Sequence, residues 1–149
     1  MRIVNHEKRV VVLLVDDSDF HRGVIRELIE THHGIALAAK THASARELVG
    51  QHWGEIDAVI LDACVEPPHL AYDANLLLED LRRLNAARPS PATILGLSGD
   101  RELRRKLMRD GCTGTCQKDD ELLAFLPEFL SDLYEQYLVT ATFKRPAPE

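Results

Sequence analysis

The chain has 149 residues, 45% of them hydrophobic and 28% charged, with a formal net charge of -6. That length suffices for one domain with a full core and is short for two, while the acidic balance argues against nonspecific binding to nucleic acid or to an anionic membrane surface. No apolar stretch approaches the ~20 residues a bilayer span needs.

The N-terminal segment MRIVNHEKRV lacks the apolar core and small-residue cleavage site of a secretory signal, and Met1 reads as a natural start. Val10–Val15 then forms a short continuous apolar run, the pattern of a parallel strand buried on both faces. Phe20, Val24, Ile25, Leu28 and Ile29 repeat at helical spacing, with Ser18 or Asp19 as N-cap and Gly34 as stop. Ile35–Ala39 is a weaker strand, and residues 43–52 a helix with Leu48 and Val49 inward. Ala58–Leu61 is a third strand ending at Asp62, followed by the proline-containing loop CVEPPHLAYD. Leu77, Leu78, Leu81 and Leu84 mark a third helix that stops before Pro89. Thr93–Leu97 is the fourth strand, ending at Ser98-Gly99. A fourth helix over Arg101–Asp110, strongly basic on one side, is closed by Gly111, and a short strand over Gly114–Gln117 ends at Lys118. Leu126, Phe129, Leu130, Leu133, Tyr134, Tyr137 and Leu138 belong to a last helix, which Pro127 should delay or kink. The polar tail TFKRPAPE reads as frayed or as a linker.

Strands alternating with helices imply an α/β domain with a parallel sheet and right-handed crossovers. In such folds the site lies beyond the carboxyl ends of the strands, where the strand order switches. Those ends carry Asp16 and Asp17, Asp62, Ser98 and Lys118. Carboxylates held ~4 Å apart repel by about 4 kcal/mol at an effective dielectric near 20. A hard dication removes that penalty, and Mg²⁺ prefers carboxylates, water and phosphate. A carboxylate beside Mg²⁺, a hydroxyl and a lysine is equipped to become an acyl phosphate.

VDD at 15–17, VILD at 59–62, LSG at 97–99 and the lysine of QKDD at 117–120 together resemble the response-regulator receiver domains of two-component signalling. The resemblance covers roughly residues 9–138, and implies a receiver domain over 1–138 with 139–149 as a flexible tail or the start of a linker. It implies a flavodoxin-like, doubly wound (βα)5 fold whose five parallel strands run in the order 2-1-3-4-5. It makes Asp62 the phosphoacceptor, with Ser98 hydrogen-bonding the phosphoryl group and Lys118 pairing with it. Mg²⁺ would be bound by Asp17, Asp62 and the backbone carbonyl of Cys64, with Asp16 acting through a metal-bound water. The implied partners are a sensor histidine kinase or phosphotransfer protein and an output protein, with a homodimer through the face of the fourth helix, fifth strand and fifth helix. Direct binding to nucleic acid or membrane is not implied. Chemistry would be limited to self-phosphotransfer and autodephosphorylation, so the chain is not expected to be an enzyme otherwise. Without an output domain it would bind a partner, pass phosphate onward, or be a fragment.

Three departures from the family pattern stand out. Asp119 and Asp120 follow the lysine in place of proline, Thr115 stands where an aromatic is common, and Val65-Glu66-Pro67-Pro68 replaces Met-Pro. They support a second reading, a degenerate receiver acting as a phosphorylation-independent binding module. A third reading, a haloacid-dehalogenase-type phosphatase, uses Asp17-Ser18-Asp19 as its D-x-D and leaves Asp62 without a role. The odd number of cysteines (Cys64, Cys112 and Cys116) builds no disulfide framework and points to a reduced, cytoplasmic protein. No second Cys or His pair has zinc-ligand spacing, and His32, His33 and His69 read as surface residues. The run Arg101, Arg104, Arg105, Lys106 and Arg109 reads as a solvated helix face. Asp100, two residues past Ser98, is placed to orient a hydrolytic water.

Overall fold

The computed structural model describes residues 9–67 and 71–144, with 137–144 as backbone alone. β1 (Val11–Val15), β2 (Ile35–Ala39), β3 (Ala58–Asp62), β4 (Thr93–Leu97) and β5 (Gly114–Cys116) alternate with α1 (Asp19–Thr31), α2 (His42–His52), α3 (Ala74–Ala86), α4 (Arg101–Arg109) and α5 (Asp120–Lys144). The strands are parallel and lie in the expected order β2-β1-β3-β4-β5.

The strands pack helices on both faces because their side chains alternate between two cores. Val11, Leu13 and Val15 of β1, with Val59 and Leu61 of β3, face Val49 of α2, Leu77 and Leu81 of α3 and Leu107 of α4. Val12 and Leu14, with Ile60 and Leu95, face Ile25 and Ile29 of α1 and Leu122, Leu126 and Leu130 of α5. Each fully buried Leu or Ile contributes about 1.5–3 kcal/mol through burial. A 5-stranded sheet covered on both faces thus holds its strand ends rigidly, and β1 and β3 adjoin at the switch in strand order.

Local chemistry sets the helix ends. Ser18 Oγ accepts from His21 N at 3.2 Å and caps α1. Thr41 and Ser44 form a reciprocal capping box that starts α2 at His42, one residue earlier than expected. α1 stops at Gly34 as expected, in a turn where Gly34 N donates to Ile29 O at 2.8 Å and His33 N to Glu30 O at 3.1 Å, although the left-handed residue is His33, with φ of 65°. Gly34 also matters for space, because a Cβ there would stand 2.7 Å from Ile29 Cγ2. Gly111, with φ of 122°, does close α4.

The last helix begins at Asp120, well ahead of Pro127, which lies inside it. Its missing N–H leaves one helical bond unmade, and Leu122, Leu126, Leu130 and Leu133 bury a continuous apolar face that outweighs that loss. The α5 backbone is helical to Lys144, and residues 145–149 of the expected tail lie outside the described residues. So do Met1, Pro68 and His69, and the side chains of Tyr137 and Leu138. Among the described residues no helix is long and apolar enough to cross a membrane.

Candidate functional site

Parallel pairing brings the predicted residues to one edge. β1 delivers Asp16 and Asp17 immediately after Val15, β3 ends on Asp62, β4 is followed by Ser98, and Lys118 lies two residues beyond Cys116. Register locks them, because Ala63 N donates to Leu97 O at 3.0 Å and Asp16 N to Ala39 O at 3.1 Å. Asp16, Asp62 and Ser98 are buried, and Asp17 is half-buried.

Lys118 crosses the site. Its Nζ lies 2.9 Å from Asp16 Oδ2, 3.1 Å from Asp16 Oδ1 and 3.3 Å from Asp62 Oδ2. Asp16 Oδ1 also accepts from Ser18 N at 2.9 Å. Asp16 Oδ2, though beside the ammonium, receives no directed hydrogen bond among the described residues. One carboxylate oxygen from each of Asp16, Asp17 and Asp62 lies within 4.8 Å of the others. Lys118 therefore shares its ammonium between two carboxylates of a three-carboxylate cluster, in a largely buried place.

The titration of the site reflects burial first and the neighbouring charges second. Burial pushes the Asp62 carboxyl up to about 7, the ammonium of Lys118 pulls it down, and Asp16 and Asp17 raise it. Burial works against the charge of Lys118, yet the carboxylates of Asp62 and Asp16 outweigh it and hold the ammonium above the ordinary lysine value. An oxygen set of this kind, with an acceptor lacking a directed partner, suits a hard dication.

Ser98 Oγ accepts from Asp100 N at 3.0 Å, which leaves its own proton for another acceptor. Asp100 caps α4, its Oδ1 accepting from Glu102 N at 2.7 Å and Leu103 N at 3.3 Å. Cys64 is half-buried at the start of the loop after Asp62, and burial raises its thiol pKa. Cys112 packs in one core and Cys116 in the other, on opposite faces of the sheet. Asp19, the second acid of the D-x-D pattern, is exposed; its hydrogen bond with Arg22 and the charge of Lys40 hold its pKa down.

Two features were not visible in the sequence. Asp73, at the N-terminus of α3, turns back onto the loop after Asp62. Its Oδ1 accepts from Val65 N at 3.0 Å and its Oδ2 from Glu66 N at 2.7 Å, while the buried His42 places Nε2 2.9 Å from Oδ1. Asp before a helix signals a cap, but this Asp makes no side-chain cap bond. The basic run of α4 is also more engaged than a solvated face. Arg104 Nη1 donates to Ser98 O at 2.9 Å, Lys106 lies over the Tyr72 ring, and Arg105 and Arg109 pair with Glu102 and Asp110.

No protein-family model and no curated protein matches the chain. Solved structures do match it. The signal receiver domain of an HD domain-containing protein from Pseudomonas fluorescens is 24% identical with a TM-score of 0.66, over 92% of this chain and 98% of that one. A CheY-like response regulator receiver domain protein from Methanospirillum hungatei is 15% identical with a TM-score of 0.66, over 86% of this chain and 98% of that one. NtrX from Brucella abortus, a longer protein, is 19% identical with a TM-score of 0.67, over 92% of this chain and 28% of that one. What these similarities show is the fold.

Proposed function

We propose that this chain, which has the receiver-domain fold of response regulators, is a two-component signalling switch phosphorylated on Asp62. The observation that carries the reading is Lys118 bridging Asp16 and Asp62, with Asp17 completing the cluster, at the carboxyl edge of the sheet.

The cluster fits Mg²⁺. Asp17 and Asp62 would hold it together with the backbone carbonyl of Cys64, and Asp16 would act through a bound water. Bound there, the ion supplies positive charge that neutralises phosphoryl oxygens and favours the ionised form of Asp62. An Asp62 oxygen forms the new bond to phosphorus as the donor's bond breaks. With a phosphohistidine the P–N bond breaks and the imidazole leaves with the electron pair; with acetyl phosphate the leaving group is acetate. Lys118 is already in place to pair with the phosphoryl group, and the Ser98 hydroxyl has its proton available for a phosphoryl oxygen.

The donor would be a sensor histidine kinase or a phosphotransfer protein, and the output a phosphorylation-dependent protein-binding surface, with homodimerisation through the α4–β5–α5 face and no direct binding to nucleic acid. The setting would be cytoplasmic. Self-phosphotransfer and autodephosphorylation would be the only chemistry, so the chain is not an enzyme in the usual sense.

A second reading, a receiver fold kept only as a binding module, is favoured by one observation. Where an aromatic is common in the family, the half-buried Thr115 lines a cleft of about 450 Å³ instead. Intact mass after incubation with Mg²⁺ and acetyl phosphate separates the two. A phosphoryl adduct absent from Asp62→Asn supports the switch; no adduct, with acetyl phosphate and with a panel of kinases, supports the module.

A further inference from the structure

We infer that Arg104 is a positioning residue linking the Ser98 turn to the α4–β5–α5 face. The inference deepens the phosphorylation reading and rests on it. Ser98 is tied to the end of β5 and to the residues just beyond it by two backbone bonds, Ser98 N to Cys116 O and Lys118 N to Ser98 O, each 3.3 Å. The same Ser98 carbonyl accepts from Arg104 Nη1 at 2.9 Å, a shorter and charge-assisted bond. Arg104 also lines the cleft shared by Thr115, Cys116, Gln117, Glu121 and Phe125. One side chain therefore touches both the backbone of a site residue and the outer face formed by α4, β5 and α5.

The short Thr115 side chain lines the cleft from β5, and the half-buried Arg104 lines it from α4. The hydroxyl and the carbonyl of Ser98 belong to one residue. Oγ keeps the Asp100 N–H as its donor while its own proton turns to a phosphoryl oxygen on Asp62, and drawing the hydroxyl toward that oxygen pulls on the turn that carries the carbonyl. Arg104 follows the carbonyl, and the cleft between α4 and α5 changes shape. An arginine used only to anchor the first turns of α4 would hold the helix without transmitting this change.

The test uses amide NMR spectra of the full chain with Mg²⁺, before and after adding beryllofluoride, a mimic of the phosphoryl group. In the wild type, amides at the site (Ala63, Ser98) and around the cleft (Thr115, Glu121, Phe125) should both shift. Arg104→Met should keep the site shifts and lose at least half of the cleft shifts, and Arg104→Lys, which retains one charged donor, should restore part of them. Full cleft shifts in Arg104→Met overturn the inference while leaving the phosphorylation reading intact. Loss of the site shifts as well, in a folded variant, also overturns it, because Arg104 would then act on the site itself. An unresponsive wild type overturns both readings. Should Arg104→Met lose its dispersed spectrum, Arg104→Gln carries the same comparison.

Discussion

His42 Nε2 lies 2.9 Å from Asp73 Oδ1 and joins the first turn of α2 to the loop that follows Asp62. Asp73 is the centre of this clamp, since its two oxygens also hold the N–H groups of Val65 and Glu66, and Glu66 Oε2 in turn accepts from His42 N at 2.8 Å. Replacing Asp73 with alanine strands those donors in a half-buried loop, where each unmade bond costs about 1–3 kcal/mol. Asp73→Ala should lose about 2–3 kcal/mol in urea unfolding. Asp73→Asn, which keeps one acceptor oxygen, should lose roughly half as much. An alanine variant as stable as the wild type would remove the clamp from the account of this loop.

Stability in the absence of divalent ions should fall as pH rises toward neutrality. Asp62 is pushed up to about 7 by burial, against an ordinary 3.8 in the unfolded chain. The native state therefore holds a proton that the unfolded state has released. This stabilisation is fully present below about 4 and is lost as pH rises to about 7. At about 1.4 kcal/mol per tenfold change in proton affinity, the rise from 3.8 to about 7 bounds the effect near 4 kcal/mol. Lys118 is raised as well, so its contribution is lost only above the ordinary lysine range and does not shape this window. Between pH 5 and 8 the wild-type Tm should decline, and Asp62→Asn should flatten that decline and raise the Tm at pH 8. An identical decline in the variant would assign the slope to other carboxylates.

The parallel sheet and the four strand-end positions were legible in the sequence for one physical reason. Apolar runs such as Val11–Val15 and Thr93–Leu97 stop abruptly at polar residues, and parallel topology then dictates that those stops converge. What was not legible depends on side-chain reach. Nothing in the residue pattern shows that Asp73 turns backward onto the loop, or that Arg104 reaches back from the first turn of α4 to the Ser98 carbonyl, contacts 7 and 6 residues away in sequence that depend on side-chain direction. The early start of α5 was missed because Pro127 signals a break, whereas burial of Leu122 and Leu126 decides the outcome. Gly34 was legible as a helix stop, but its close approach to Ile29 was not.

Two glycines should respond in opposite directions. A Cβ on Gly96, within β4, would stand 2.8 Å from Leu107 Cδ1 and 2.9 Å from Cys112 Sγ, both buried. Gly96→Ala must push α4 off the sheet and should cost about 1–3 kcal/mol. Gly50, inside α2, has nothing within 4 Å of its Cβ position. There alanine restricts the unfolded chain without a clash, and Gly50→Ala should gain about 0.5–1 kcal/mol. Urea midpoints of the two variants provide the check, and equal midpoints would contradict the packing of α4 on β4.

Metal affinity should depend on the carboxylates unequally from Lys118. Asp16, Asp17 and Asp62 each offer an oxygen to one small space, and Lys118 competes with a cation for Asp16 and Asp62. Removing a carboxylate takes away both a ligand and a charge, so Asp17→Asn should weaken Mg²⁺ binding about tenfold or more, equivalent to about 1.4 kcal/mol. Lys118→Met removes the competitor. It should therefore bind Mg²⁺ at least as tightly as the wild type, while the ion-free protein loses stability at pH 8, where Asp62 is ionised beside Asp16 without a counter-charge. At pH 5 that loss should shrink, because Asp62 keeps its proton and the repulsion is relieved. Calorimetric titration with Mg²⁺, paired with thermal melts at both pH values, reads all of these effects. Weaker Mg²⁺ binding in Lys118→Met would mean that the ammonium organises the carboxylates for the ion, and that competition is the lesser effect.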